Sequence, residues 1–223
     1  MKTSLKHLLV ATAALGLIGP ASAQQAPEPA TPISPSLTAA GASTMQDDRY
    51  GLLGEDYTGV RFGYVHHTAA PPRALHRYGF VSNRPLAPGL DTAFNYDYRT
   101  GGANGNDYWW HDTGITVAGY LASLGEVKPF LAGNAGWQWR NLGGVRSNGF
   151  AYTAGTGAEI RLARQLAVAP YVDYQEVPHF NEHAWTYGAN GTYRFARDWS
   201  GLLGAELDEH HNLGYTLGMN RHF

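Results

Sequence analysis

The chain has no cysteine among its 223 residues. That removes disulfides, a lipid-modified N-terminal cysteine and every thiolate metal site from consideration. Charge is scarce as well, at 15% Asp, Glu, Lys and Arg, and it lacks a basic excess: 16 Lys+Arg face 18 Asp+Glu, a formal net charge of −2. A surface with no positive surplus does not release counterions from a phosphate backbone, which excludes a nucleic-acid partner. Apolar runs of transmembrane-helix length are missing after the N-terminus, although 43% of the residues are hydrophobic.

What the chain has is glycine and aromatic residues, with 28 Gly, 14 Tyr and 6 Trp. Few charges, many glycines and many aromatics suit strands that face lipid better than a soluble helical domain. Residues 1–23 read as a secretory signal. Lys2 and Lys6 supply the positive start, Leu8 to Ile18 the apolar stretch, and Ala21-Ser22-Ala23 a small-residue cleavage site. Losing both lysines takes the net charge of the mature chain to −4. Residues 24–55 read as the next unit, a Pro/Ala/Ser-rich tail whose first part, up to residue 46, carries no periodicity and reads as disordered or polyproline-like.

From residue 56 onward the apolar pattern has period two, the signature of strands with one apolar and one polar-or-small face. Thr58, Val60, Phe62 and Tyr64 oppose Tyr57, Gly59, Arg61 and Gly63. Leu90, Thr92, Phe94, Tyr96 and Tyr98 oppose Asp91, Ala93, Asn95, Asp97 and Arg99. The same alternation predicts strands over 75–82, 109–122, 127–140, 149–162, 166–176, 183–196 and 202–208. Turns are expected at Asn83-Arg84-Pro85, at Ser123 to Glu126, at Ala163 and at Arg197. Longer or more polar connections are expected at Arg73, Gly101, Asn141, Pro178 and Glu209. The last twelve residues place Leu213, Tyr215, Leu217, Met219 and Phe223 on one parity and Gly214, Thr216, Gly218, Asn220 and His222 on the other. Arg221 interrupts the apolar side.

These stretches predict an all-β fold, a closed antiparallel up-and-down transmembrane β-barrel of ten strands over residues 56–223, with eight as the alternative. Outward Tyr96, Tyr98, Trp137, Trp139, Tyr152, Tyr174, Trp185 and Tyr187 form an aromatic belt, and Tyr193, Phe195 and Phe223 a sparser one at the other interface. A soluble sandwich is disfavoured because Arg61, Arg99, Arg140, Asp97 and Asp173 would fall in its core, at several kcal/mol per unpaired ion. The expected lumen carries Arg61, Arg77, Arg99, Lys128, Arg140, Arg161 and Arg194 against Asp91, Asp97, Glu159, Asp173, Glu206 and Asp208. About eight strands leave room only for side chains and wide aqueous pores need about sixteen. Mixed-sign side chains in a ten-stranded barrel should therefore interlock and plug it.

With its export signal, alternating strands, aromatic belt and terminal Phe223, the chain resembles small bacterial outer-membrane β-barrel proteins, the class that includes the transmembrane barrel of OmpA-type proteins. The resemblance covers residues 56–223. It implies an outer-membrane location with the N-terminal tail and the C-terminus in the periplasm, and contact with outer-membrane lipid and lipopolysaccharide. It also implies a closing strand, ending in Phe223, read by the barrel-assembly machinery, and a monomer. Neither the alternation nor the resemblance fixes an activity. The leading expectation is a structural or surface-interaction role. The alternatives are a small-solute channel and an outer-membrane enzyme acting on lipid A or peptides.

Residue types for such chemistry are expected at the outer ends. His66, His67, His76, His111, His179, His183, His210 and His211 lie there with Asp107, Asp112, Glu176, Glu182, Asp208 and Glu209, residue types that suit zinc, copper or nickel. Neighbouring side chains on one strand point to opposite faces, however. His111-Asp112 and Asp208 with His210 supply acid–base residue types, with Ser147 near the rim, but in no spacing that marks a hydrolase. No catalytic, cofactor-binding or metal residue is assigned on this basis, no cofactor is called for, and the chain is read as a non-enzyme.

Overall fold

A computed structural model describes residues 51–68, 72–121 and 126–223. The expected signal, the tail as far as residue 50 and most of the Ser123 turn lie outside the described residues, as do Ala69, Ala70 and Pro71 of the first connection.

Ten strands follow one another: β1 (Tyr57–His66), β2 (Ala74–Ala87), β3 (Leu90–Ala103), β4 (Asn106–Tyr120), β5 (Val127–Leu142), β6 (Val145–Ala163), β7 (Leu166–Val177), β8 (Glu182–Ala196), β9 (Trp199–Asp208) and β10 (Leu213–His222). Each pairs antiparallel with its sequence neighbours, and β1 pairs with β10 from Tyr57↔His222 to His66↔Leu213, so the sheet closes without an edge. Closure leaves no row of unpaired backbone donors and acceptors, the only form in which strands cross hydrocarbon. The strand count is ten, as the first of the two expectations had it.

The period-two pattern sorts side chains as expected. Val60, Phe62, Phe94, Ile115, Leu131, Leu203, Leu217 and Met219 stand exposed on the outer wall. Trp137, Trp139, Trp185 and Tyr187 are likewise outward, and Tyr193, Phe195 and Phe223 mark the opposite rim. The fully buried positions are largely polar instead: Ser200 and Asn220 are 0% exposed and Asp91 2%. An apolar exterior around a polar interior inverts a soluble domain and defines a lipid-facing wall. Arg221, out of place in the alternation, sits at the end of the wall with its guanidinium 5.4 Å from the Phe223 ring centroid, a cation–π contact at the rim.

Some expected turns are corrected. Asn83-Arg84-Pro85 is strand: β2 continues to Ala87, a register shift between Pro85 and Ala87 absorbs the proline, and the turn is Pro88-Gly89. Asn83 keeps the strand going because its amide points inward and is used there. The polar run at Gly101 is no loop either. β3 and β4 run through it to a two-residue turn, Asn104-Gly105, with φ of 53° and 77°. The loop expected at Asn141 is likewise a two-residue Gly143-Gly144 turn, with φ of 62° and 101°. The contrast between the two ends is therefore less one of loop length than of strand length. β3 to β6 span 14 to 19 residues, against 10 in β1, β9 and β10.

Candidate functional site in the barrel lumen

The inward side chains form three polar levels. The first closes the end where β1 begins and β10 finishes. Residues 51–55, in front of β1, are seated across this mouth. The Leu52 N–H donates to Glu159 Oε2 at 2.6 Å and the Leu53 N–H to the same oxygen at 3.3 Å. The Gly54 N–H donates to Asp91 Oδ2 at 2.8 Å. Lys128 Nζ holds the Leu53 carbonyl at 3.3 Å and Glu159 at 3.4 Å, and the Asn83 amide donates to the Glu55 carbonyl at 2.7 Å. Carboxylates accepting backbone N–H bonds are among the stronger hydrogen bonds a protein makes. The approach requires glycine at position 51: φ is +72°, and a Cβ there would overlap the Glu159 carboxylate.

Glu55 then turns into a sealed cluster. Arg194 Nη2 donates to Glu55 Oε2 at 2.9 Å and lies 2.7 Å from His222 Nδ1. A guanidinium can only donate, so Nδ1 is the acceptor and the proton of neutral His222 sits on Nε2, 2.9 Å from Ser200 Oγ. The Asn220 amide also donates to Ser200 Oγ, at 3.0 Å. Ser200, His222 and Glu55 are the residue types of an acyl-transfer triad. Here Ser200 is wholly buried, its oxygen accepts two bonds, and Arg194 occupies the His222 nitrogen that a triad acid would hold. In this geometry no substrate carbonyl reaches the hydroxyl.

The middle level is an ion-pair cluster. The Arg77 guanidinium is hydrogen-bonded to Asp97 and to Glu206 Oε1 at 3.0 Å, and the Tyr171 hydroxyl donates to Glu206 Oε2 at 3.3 Å. Arg61 and Asp173 share this level's cavity, a space of about 450 Å³. Above it, Arg99 reaches Asp97 at 3.7 Å and Asp112 at 3.4 Å, while the Gln138 amide donates to Asp112 at 2.6 Å. Arg140 pairs with Glu182 at 2.5 Å, donates to Ser147 Oγ at 3.2 Å and stacks 3.4 Å over the Phe180 ring. Phe180 belongs to a single 3₁₀ turn, Pro178–Phe180, that links β7 and β8 at the far end.

The lumen charges expected from parity are thus largely where they were expected, Asp208 excepted. Its carboxylate accepts the His210 and Asn212 N–H groups at 2.9 Å each and builds the β9–β10 turn. Glu55, Asp112, Glu182 and His222 were not on that list. The first was hidden in the tail, and the others were read as rim or uncharged positions.

The outer histidines do not assemble. Among the described residues no three His, Asp or Glu side chains converge on a point a metal could occupy. His111 faces outward, its Nδ1 2.7 Å from the Tyr96 hydroxyl and its ring stacked 4.6 Å from Tyr98, whereas Asp112 faces the lumen. The wall separates that acid–base pair. Ser147 is engaged by Arg140, and Asp208 by its own turn. His67, in the connection after β1, lies edge-on to Trp110 at 6.5 Å. Burial lowers the pKa of its imidazole, and the Arg99 charge adds to that.

No protein-family model matches this chain, and no curated protein does. Solved structures similar to it include the KdgM porin in complex with disordered oligogalacturonate (8% identity, TM-score 0.45, 75% of this chain and 99% of that one). They include the NanC porin (9% identity, TM-score 0.47, 74% and 98%). Neisserial surface protein A is another (12% identity, TM-score 0.42, 75% and 96%). What defines the class is the molecule's own construction: ten antiparallel strands closed on themselves, an apolar and aromatic exterior, and a polar interior. It is built as a membrane-spanning β-barrel.

Proposed function

We propose that this barrel is a closed structural and surface-interaction protein of the outer membrane rather than an open pore. The observation that carries this reading is the seating of residues 51–55 across one mouth of the lumen, on Glu159 and Asp91. The Arg77, Asp97 and Glu206 cluster narrows the level beyond it. In this reading the tail and the C-terminus lie in the periplasm, the tall β3–β4 and β5–β6 hairpins meet the surroundings, and the wall contacts lipid and lipopolysaccharide as a monomer. The outward Leu213, Tyr215, Leu217 and Met219 of β10 would form the surface that the assembly machinery engages. No catalytic role enters it, since His111 and Asp112 lie on opposite faces and Ser200 is sealed.

A small-solute channel is the second reading, favoured by the 450 Å³ cavity at mid-lumen. Single-channel recording of the refolded mature chain, residues 24–223, separates the two. Electrical silence is expected; steady conductance on the nanosiemens scale overturns the closed reading. Orientation is tested on intact cells. Val145→Cys gives the chain its one thiol, on a 70%-exposed rim position, and it should react with an impermeant maleimide. Labelling only after the outer membrane is broken would reverse the assignment.

A further inference from the structure

Two charges in the central cavity stand apart from the ion-pair scheme. The cations Arg77, Arg99, Lys128, Arg140 and Arg194 each have a carboxylate within 4 Å. Arg61 has no carboxylate partner among the described residues; one Nη donates to the Val60 carbonyl at 3.1 Å and the other donors are uncommitted. Asp173 likewise has no hydrogen bond or ion pair among the described residues, and its carboxylate is not sealed from the cavity it lines. Arg61 is on β1 and Asp173 on β7, with β10, β9 and β8 between them, so the two approach the cavity from nearly opposite sides of the barrel.

The wall around each is cleared of side chains. Gly218 and Gly79 flank Arg61 closely, a Cβ at Gly218 falling 2.7 Å from Arg61 Cδ, and one at Gly59 falling 2.5 Å from its Nη1. Gly155 does the same beside Asp173. An enclosed charge without a counter-ion persists only where water or a ligand solvates it. The amides of Asn95, Asn134 and Asn190 line the remaining space. Arg77 and Glu206, at the same level, are 24% and 28% exposed, so solvent reaches the cavity.

We propose that this cavity is a binding site for a small zwitterion of the amino-acid type, its carboxylate against Arg61 and its ammonium against Asp173. The charge balance selects that class. A simple anion would meet Asp173 together with the carboxylates around Arg77, and a simple cation would meet Arg61; a zwitterion satisfies both free groups at no net charge. The site does not depend on the lumen being closed, because binding and conductance are read in separate experiments.

Calorimetric titration of the refolded mature chain with glycine and with 4-aminobutanoate tests it, with acetate and ethylammonium as single-charge probes. Saturable one-to-one binding of a zwitterion is expected, at least tenfold tighter than either single-charge probe. Arg61→Gln and Asp173→Asn should each weaken it at least tenfold, and the exchanged pair Arg61→Asp with Asp173→Arg should recover part of the loss. The proposal is overturned by the absence of saturable heat with both zwitterions, by acetate binding as tightly, or by single variants that bind as the parent does. Should a variant not refold, amide shifts of the parent protein decide. Movement at Asn95, Asn134 and Asn190 with the zwitterion alone supports the site, and its absence overturns it.

Discussion

Arg194 holds together the most enclosed polar group of the molecule. Its guanidinium lies 2.9 Å from Glu55 Oε2 and 2.7 Å from His222 Nδ1, with the Arg194 and Glu55 side chains only 13% and 9% exposed. Removing one partner of such a pair strands the other charge in a place water reaches poorly, which costs about 3 kcal/mol. Arg194→Ala is therefore expected to lower stability by about that amount. The double variant Arg194→Ala with Glu55→Gln should recover part of it, because the stranded charge is gone. Urea unfolding in lipid vesicles, followed by tryptophan fluorescence, measures both; equal stability of Arg194→Ala and the parent would show that the cluster contributes nothing. At this scale the sequence was informative wherever parity alone decides. Arg77, Asp97 and Glu206 point inward because they alternate with Tyr78, Tyr96 and Leu207. Parity says nothing of partners, which come from strands far apart in the chain: Arg77 meets a carboxylate on β9, and Glu55 an arginine on β8.

The elements follow the pattern best inside the wall and worst beyond it. β1, β7 and β10 fall within two residues of the expected bounds, since lipid on one side and a polar lumen on the other enforce strict alternation. Where a hairpin rises past that zone both faces meet water, the alternation fades, and polar strand looks like loop. That is why Gly101 to Ala103 and Asn106 to Tyr108 belong to β3 and β4 although they read as a connection. A second signal was present in Asn104-Gly105, the dipeptide suited to a two-residue turn with both φ angles positive. Gly105 has nothing within 4 Å of where a Cβ would be, so its role is conformational alone. Gly105→Val should destabilise the barrel by about 1–2 kcal/mol, the left-handed penalty for a residue with a side chain, whereas Asn104→Gly should be nearly neutral. Unfolding in vesicles distinguishes them, and a harmless Gly105→Val would mean that the turn is free to change type.

At the scale of the whole molecule, two solvents decide the design. A sheet with apolar residues on one face and Arg, Asp and Asn on the other can put the apolar face inside and become a sandwich, or outside and close into a barrel. The first buries unpaired ions; the second needs hydrocarbon around it and polar pairing within. Ten strands, closure and the inside-out wall were legible because each follows from that choice. The seating of residues 51–55 was not, since those residues show no period and find their partners only once closure has gathered Glu159 and Asp91 at one mouth. The choice of solvent is itself testable on the wall. Leu203 and Leu217 are paired across β9 and β10 and are 66% and 61% exposed. In a protein surrounded by water, an arginine at such an exposed position changes stability by less than about 0.5 kcal/mol. In a bilayer its charge must be dragged from water into hydrocarbon, and Leu217→Arg should cost about 2–4 kcal/mol. The same variant refolded in vesicles of thinner lipid should lose less, because the charge then lies nearer the headgroups. Indifference of Leu217→Arg to the surrounding bilayer would place this face in water, and the membrane reading of the barrel would fall with it.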